Sequence, residues 1–320
     1  MVPMLLASAE SSGGWHSFVN FCLIGFTTGC LFALIALGYT MVYGILELIN
    51  FAHGDVFMLG ALLGVTLINP RCMNLEAASP GGAAAGLAVV FVVVAVFCAV
   101  VNFSIDRLVY RPLRTAPKLA PLVSAIGVSF ILMNIGLLWI GPADTHFPDL
   151  ISRRNLLPES SSLQFTYKDL MVVATSVPIM IALTLFVRYT SLGRAMRATA
   201  QNPTAARLMG VNVDRVIGAT FAIGGMLAGA ASLVYGLYIN TVGFQMGFQN
   251  GLYAFTAAVL GGIGNLPGAM LGGIVIGMVR SLGSGYVGER WTTSLIFAIL
   301  ILILVFKPSG LLGTRTREKV

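Results

Sequence analysis

Residues 188–215 read RYTSLGRAMRATAQNPTAARLMGVNVDR, and the arrangement of the whole chain turns on them. This is the longest polar interruption carrying one sign of charge. Arg188, Arg194, Arg197, Arg207 and Arg215 stand in it against a single acid, Asp214. Long apolar runs lie on both sides. A basic loop tied between two membrane helices faces the cytoplasm. Its second half has the grammar of a short helix followed by a long one. Asn202 suits an N-cap, Pro203 the first helical position, and Gly210 a left-handed C-terminal stop. The spacing predicts a helix of about two turns, Pro203–Met209, exposed at that surface. Its features alone fit either a lever pushed by a partner or an amphipathic loop helix held by lipid phosphates.

The chain around this loop has 320 residues, 57% hydrophobic and only 10% charged, with a mean hydropathy of +0.89. Soluble domains carry roughly a quarter charged residues, and in/out alternating strands are absent. The expected fold is therefore an all-α polytopic membrane protein. A net charge of +7 would suggest nucleic acid in a soluble protein. Here it follows from the positive-inside bias, and no nucleic-acid partner is expected. Cys22, Cys30, Cys72 and Cys98 form no CxxC pair, and three lie in apolar runs as packing residues.

Six full spans are expected, at 18–37, 87–105, 119–141, 169–187, 216–239 and 291–306. Broken or re-entrant pieces bring the total to about eight membrane segments in one domain, 1–320. Loops 106–118 and 188–215 and the basic tail 307–320 hold thirteen of the nineteen Lys and Arg residues. That asymmetry predicts an outside N-terminus and a cytoplasmic C-terminus. With both the 188–215 loop and the tail inside, residues 252–282 must cross twice or not at all. The two apolar pieces there span only ~20 and ~22 Å as helix, short of a ~30 Å hydrocarbon core. A helical hairpin is expected, re-entrant or of short tilted spans, turning at 263–267.

Two polar breaks are candidate parts of a pathway. GYTMVYGILELINFAHGD (38–55) carries Glu47, Asn50, His53 and Asp55 between apolar residues. Ionisable groups at membrane depth are costly and often functional. The alternative places them near the inner face, solvated or holding a kinked backbone. No metal site is expected at His53, because the chain has no H-E-x-x-H. The second break, GGIGNLPG, has Gly261, Gly262, Gly264 and Asn265. Its freed amides suit a substrate carboxylate, or its glycines allow close helix packing, as the GxxxG spacings at 268/272 and 273/277 suggest.

TAARLMG (204–210) resembles the EAA-x3-G signature of ABC importer permeases, with Ala205, Ala206 and Gly210 matching and Thr204 in place of the usual Glu. Three co-ordered segments make the likeness more specific: 38–55, GRAMRATAQNPTAARLMGVNVDRV (193–216) and AFTAAVLGGIGNLPGAMLGG (254–273). Together they resemble the branched-chain amino acid permeases of the LivH type. The resemblance implies a subunit of an ATP-driven importer in the bacterial inner membrane. It implies a partner permease (LivM type or a second copy), two cytoplasmic ATPase subunits and an extracytoplasmic substrate-binding protein. It also implies that Asn202, Pro203, Thr204, Ala205, Ala206, Arg207 and Gly210 couple to the ATPase.

The residues agree on one point independently. No G-x-x-x-x-G-K-[ST] is present, so ATP would be bound by a separate chain and no cofactor by this one. The alternatives are a permease for urea or a short amide, or a passive channel. An enzyme is not expected: G-x-S-x-G is missing, as are paired carboxylates on one apolar helix.

Overall fold

Apolar runs of about twenty residues satisfy their backbone groups internally only as helices, and helices make nearly all of this structure. It is a computed structural model describing residues 14–46, 48, 50–69, 72, 79–114, 116–117, 119–157, 163–307 and 309–313. Helix α1 spans Gly14–Leu46, α2 Ala52–Ile68, α3 Pro80–Ile105 and α4 Leu119–Ile140. A π turn, Asp106–Tyr110, and a short helical piece to Leu113 extend α3. Strand β1 (Thr145–His146) precedes α5 (Tyr167–Tyr189). Then come α6 (Ser191–Gln201), α7 (Pro203–Leu208) and α8 (Val213–Ile239). Strand β2 (Thr241–Val242) leads to α9 (Met246–Gly261), α10 (Leu266–Leu282) and α11 (Glu289–Phe306), with a π turn, Gly283–Val287, after α10. Among the described residues, seven helices are long and apolar enough to cross a membrane, and α2 is apolar but shorter. The fold is that of an all-α polytopic membrane protein.

The bundle has two distinct ends. At one, the hydrogen bonds from Leu311 and Leu312 to the carbonyls of Leu260 and Gly261 (2.8 and 3.0 Å) tie the chain after α11 to the end of α9. Gly44 of α1 meets Gly264 there, and Arg114 meets Asp214. At the other end β1 and β2 pair antiparallel, and Ser281 of α10 bonds the carbonyl of Phe21 in α1 at 2.7 Å. Helix α9 therefore ends at the loop end, α10 returns towards the strand end, and α11 descends again. Residues 252–282 form the expected helical hairpin. Its turn lies at 262–265. Helix α9 starts at Met246, inside the stretch 240–251 that reads as a polar linker.

The hairpin lies close because its contacts have no side chains. Helix α10 makes its most extensive packing against α1. A Cβ added to Gly29 would stand 2.7 Å from the Ile274 Cα, and one on Gly273 2.5 Å from the Ala33 Cα. Gly277 abuts the Gly29 backbone directly. Small residues at a four-residue spacing allow this approach, and dispersion over the matched surfaces holds it.

A polar anchor closes the strand end. Lys168, only 2% exposed, donates to Asp149 at 2.5 Å and to Asn240. Asn240 caps α8 in a left-handed conformation (φ 60°) and donates to the Phe147 carbonyl at 3.0 Å. Helix α5 starts in a capping box between Thr166 and Asp169. Burial pushes the Asp149 carboxyl up, but the Lys168 hydrogen bond and charge, with Arg153, outweigh it and hold it below the ordinary carboxylate value.

Two outcomes follow for purified protein. Gly277→Leu should lower the melting temperature through a clash with Gly29 worth about 1–3 kcal/mol or more. Gly127→Ala, which meets nothing within 4 Å, should be neutral or stabilising by up to about 1 kcal/mol. A depressed carboxylate contributes stability above its unfolded pKa and loses it as pH falls through the folded one. The melting-temperature gap between wild type and Asp149→Asn should accordingly narrow as pH drops from about 5 towards about 2.

Candidate functional site

The centre of the molecule is a helix break made inside it. Helix α1 stays helical to Leu46, and α2 begins at Ala52 with Phe51 in the cap position, where it makes no side-chain bond. His53 packs on Gly38, eight residues (about 12 Å) back from the end of α1. Helix α2 thus begins well inside the bundle. Asn50 is 2% exposed, His53 1% and Asp55 1%. These three are not solvated. Glu47 lies outside the described residues.

Each buried group has been given a setting. Asn50 donates to Asn102 of α3 at 3.2 Å and accepts from the Tyr110 hydroxyl at 3.2 Å. Asn102 in turn donates to the Phe221 carbonyl of α8 at 2.7 Å. His53 lies edge-on to Tyr39, with ring centres 4.7 Å apart. Asp55 accepts from Ser129 of α4 through one carboxylate oxygen, while the other has no hydrogen-bond partner.

The second break sits at the loop end. Gly262 and Gly264 take φ values of +102° and +92°, which only glycine adopts without strain. Gly261 abuts Gly268 across the turn. Asn265 caps α10 through the Gly268 amide (3.2 Å) and donates to the Leu312 carbonyl at 2.7 Å. The two breaks meet at a crevice lined by Tyr39, Tyr43, Asn50, Phe255 and Ile263. A second crevice lies beside it, on the side of Phe51, Ser129 and Phe248.

The 188–215 loop is more ordered than its sequence suggests. Ser191–Gln201 is a helix, α6, capped by Thr190 at the Gly193 amide (3.0 Å). Arg194 donates to the Tyr189 carbonyl at 3.1 Å, and Arg197 to those of Val187 and Arg188. These arginines therefore satisfy the last carbonyls of α5, where cations are favoured. Helix α7 has the expected caps: Asn202 accepts from the Thr204 and Ala205 amides at 3.0 Å each. Gly210 stops it at φ +82°. The helix closes at Leu208, one residue before the expected Met209. Only Ala206 faces inward; Pro203, Thr204, Ala205 and Arg207 are exposed, and Leu208 and Met209 are each 84% exposed.

A charged clasp joins this loop to the break, and sequence reasoning missed it. Asp214, in the first turn of α8, meets Arg114 at 2.6 Å and Arg111 at 3.6 Å. Arg114 also holds Asp106 at 2.5 Å. Asp106 is 1% exposed and opens the π turn that ends at Tyr110, whose hydroxyl bonds Asn50. A signal was present: Asp106 and Asp214 are the only acids in the two basic loops.

The family described as branched-chain amino acid transport system / permease component matches residues 21–305. The high-affinity branched-chain amino acid transport system permease protein LivH of Escherichia coli is 41% identical over 298 residues, 92% of this chain and 96% of the relative. LivH of Salmonella typhimurium is 40% identical over the same shares. The permease protein BraD of Pseudomonas aeruginosa is 40% identical over 301 residues, again 92% and 96%. No solved structure matches the chain.

The clasp has a stability signature. Arg114→Ala leaves the buried Asp106 uncompensated and should cost about 3–5 kcal/mol. Asp214→Ala removes a partner whose side chain is 44% exposed and should cost no more than about 1 kcal/mol. Denaturation of the two variants side by side checks the difference.

Proposed function

The chain belongs to the branched-chain amino acid permease family, and from that premise we propose that it is the membrane subunit of an ATP-driven importer. Its cargo is a branched-chain or other hydrophobic amino acid, moved by alternating access without chemistry of its own. It works with a second permease subunit, homologous or identical, with two cytoplasmic ATPases that bind the ATP, and with a substrate-binding protein on the opposite side. The setting is a bacterial inner membrane.

The loop end faces the cytoplasm and the strand end faces out. Supporting this, the loop end carries Arg107, Arg111, Arg114, Arg188, Arg194, Arg197, Arg207, Arg215 and Lys307 among the described residues. The strand end carries Arg153, Arg154, Lys168 and Arg290. Positive charge collects on the cytoplasmic side of membrane proteins. The N-terminus is then outside and the C-terminus inside.

The observation that carries the coupling role is α7 itself. It is a pre-capped helix whose apolar end, Leu208 and Met209, projects from the surface in a chain with no phosphate loop of its own. A partner ATPase receives this knob. Movement of α7 reaches the pathway through a short physical chain. Asn212 caps α8 at the Arg215 amide, Asp214 grips Arg114, Arg114 grips Asp106, and the same π turn presents Tyr110 to Asn50. Asn50 lines the crevice that Ile263 closes from the hairpin turn. Coupling of this kind needs an element with two arrangements that both sites bias, and the junction of α1 and α2 at Asn50 is our candidate for it.

In the reconstituted importer, Gly210→Val should abolish leucine uptake while the protein remains in the membrane. A β-branched residue cannot hold φ +82° without strain. Uptake at the wild-type rate would remove α7 from the coupling role.

A further inference from the structure

Asp55 poses a problem that its surroundings do not solve. It is 1% exposed, and its partner Ser129 lies midway along α4, far from either end of that helix. One carboxylate oxygen is bonded to Ser129, and the other has no partner. Among the described residues it forms no ion pair within 4.0 Å. A carboxylate taken out of water is stable only when paired and hydrogen-bonded, so this one is half-provided.

The missing partner has a way in. The second crevice is open along one side and narrow, with room of about 20 Å³ for a single water. That is far below the roughly 300–1,000 Å³ of ligand pockets, so an amino acid enters only when the crevice widens during transport. Ser129 lines it together with Tyr39, Phe51, Gly251, Phe248 and Phe255. Phe51 and Phe255 rings lie 5.9 Å apart, and Tyr39 and Phe255 6.2 Å. Gly247 and Gly251 of α9 form the floor against α2. A Cβ on Gly247 would come 3.1 Å from the Asp55 Cα, and one on Gly251 3.0 Å from the Tyr39 hydroxyl. Ser129, which lines the crevice and bonds Asp55, connects the two.

We propose that, once the crevice widens, Asp55 and Ser129 bind the α-ammonium group of the transported amino acid, with Phe51, Phe248 and Phe255 forming the apolar wall for its side chain. This rests on the importer reading above. The chemistry is complementary: an ammonium brings three donors and a positive charge to a buried carboxylate short of both. A molecule lacking the amine leaves Asp55 unpaired, so the site selects amino acids over neutral amides or hydroxy acids by the cost of an unmet buried charge.

The test uses the complete importer (both permease subunits, the ATPases and the binding protein) in proteoliposomes, with radiolabelled leucine. Asp55→Asn should lower uptake at least about ten-fold, as loss of a charged hydrogen bond does, while ATP hydrolysis stimulated by the binding protein persists. Ser129→Ala should have a smaller effect. A second readout does not depend on transport. Phe248→Cys, on the 55% exposed rim residue, is alkylated with N-ethylmaleimide in a Cys72→Ser background. Leucine should slow the alkylation, isocaproate, the same skeleton without the amine, should not, and Asp55→Asn should abolish the leucine effect. Wild-type uptake by Asp55→Asn, or equal protection by isocaproate, overturns the assignment. If the wild-type complex itself carries no leucine, the importer reading fails instead.

Discussion

A helix broken inside an apolar bundle must have every freed polar group met by protein, because hydrocarbon offers no hydrogen bonds. The break between α1 and α2 imposes that constraint, and much of the rest answers it. Asn50 is met by Asn102 and Tyr110, and Asn102 by the Phe221 carbonyl. The answer ties four elements, the break, α3, its π turn and α8, into one polar knot. A π turn widens the helix by a residue per hydrogen bond and commonly sits at functional positions. Here it sets Asp106 and Tyr110 at the two ends of one short segment, the first toward the clasp and the second toward the break.

The glycine seams serve this knot by removing distance. Gly225 and Gly229 of α8 lie against the backbone of α3 at Cys98 and Val94, which brings Asn102 within reach of the Phe221 carbonyl. Gly247 and Gly251 do the same for α9 on α2. The glycines near the second break pack closely and form its turn, and the crevice between the two breaks is lined by Tyr39, Asn50, Phe255 and Ile263. Outside this interior, apolar side chains such as Val92, Phe130, Leu138 and Phe306 remain exposed, as they must on a surface that meets lipid or another membrane subunit.

How much could be read in advance depended on how far each interaction reaches along the chain. The cap of α7 was legible because Asn202 bonds amides two and three residues away. The stop at Gly210 was legible because its φ is a property of one residue. Helix α6 was missed because its arginines look like a topological signal, and their bonds to the carbonyls of α5 appear only once the loop has folded back. The early start of α9 was missed because Gln249 and Asn250 make the stretch look like a linker, whereas Asn250 is buried and bonds the Met246 carbonyl within its own helix.

Composition, the apolar runs and the placement of Lys and Arg were sufficient by themselves to determine an all-α membrane protein with one basic loop of special form. They could do so because hydrophobic transfer and local capping are set by residues and their near neighbours. Only the tertiary structure decided that Asn50, His53 and Asp55 are buried, that Arg194 and Arg197 fold back on α5, and that Arg114 joins Asp106 to Asp214. Arg114 and Asp214 are 100 residues apart in the chain, and Ser129 and Asp55 are 74. Burial and pairing across such separations depend on which helices come to lie side by side, and no local pattern encodes that.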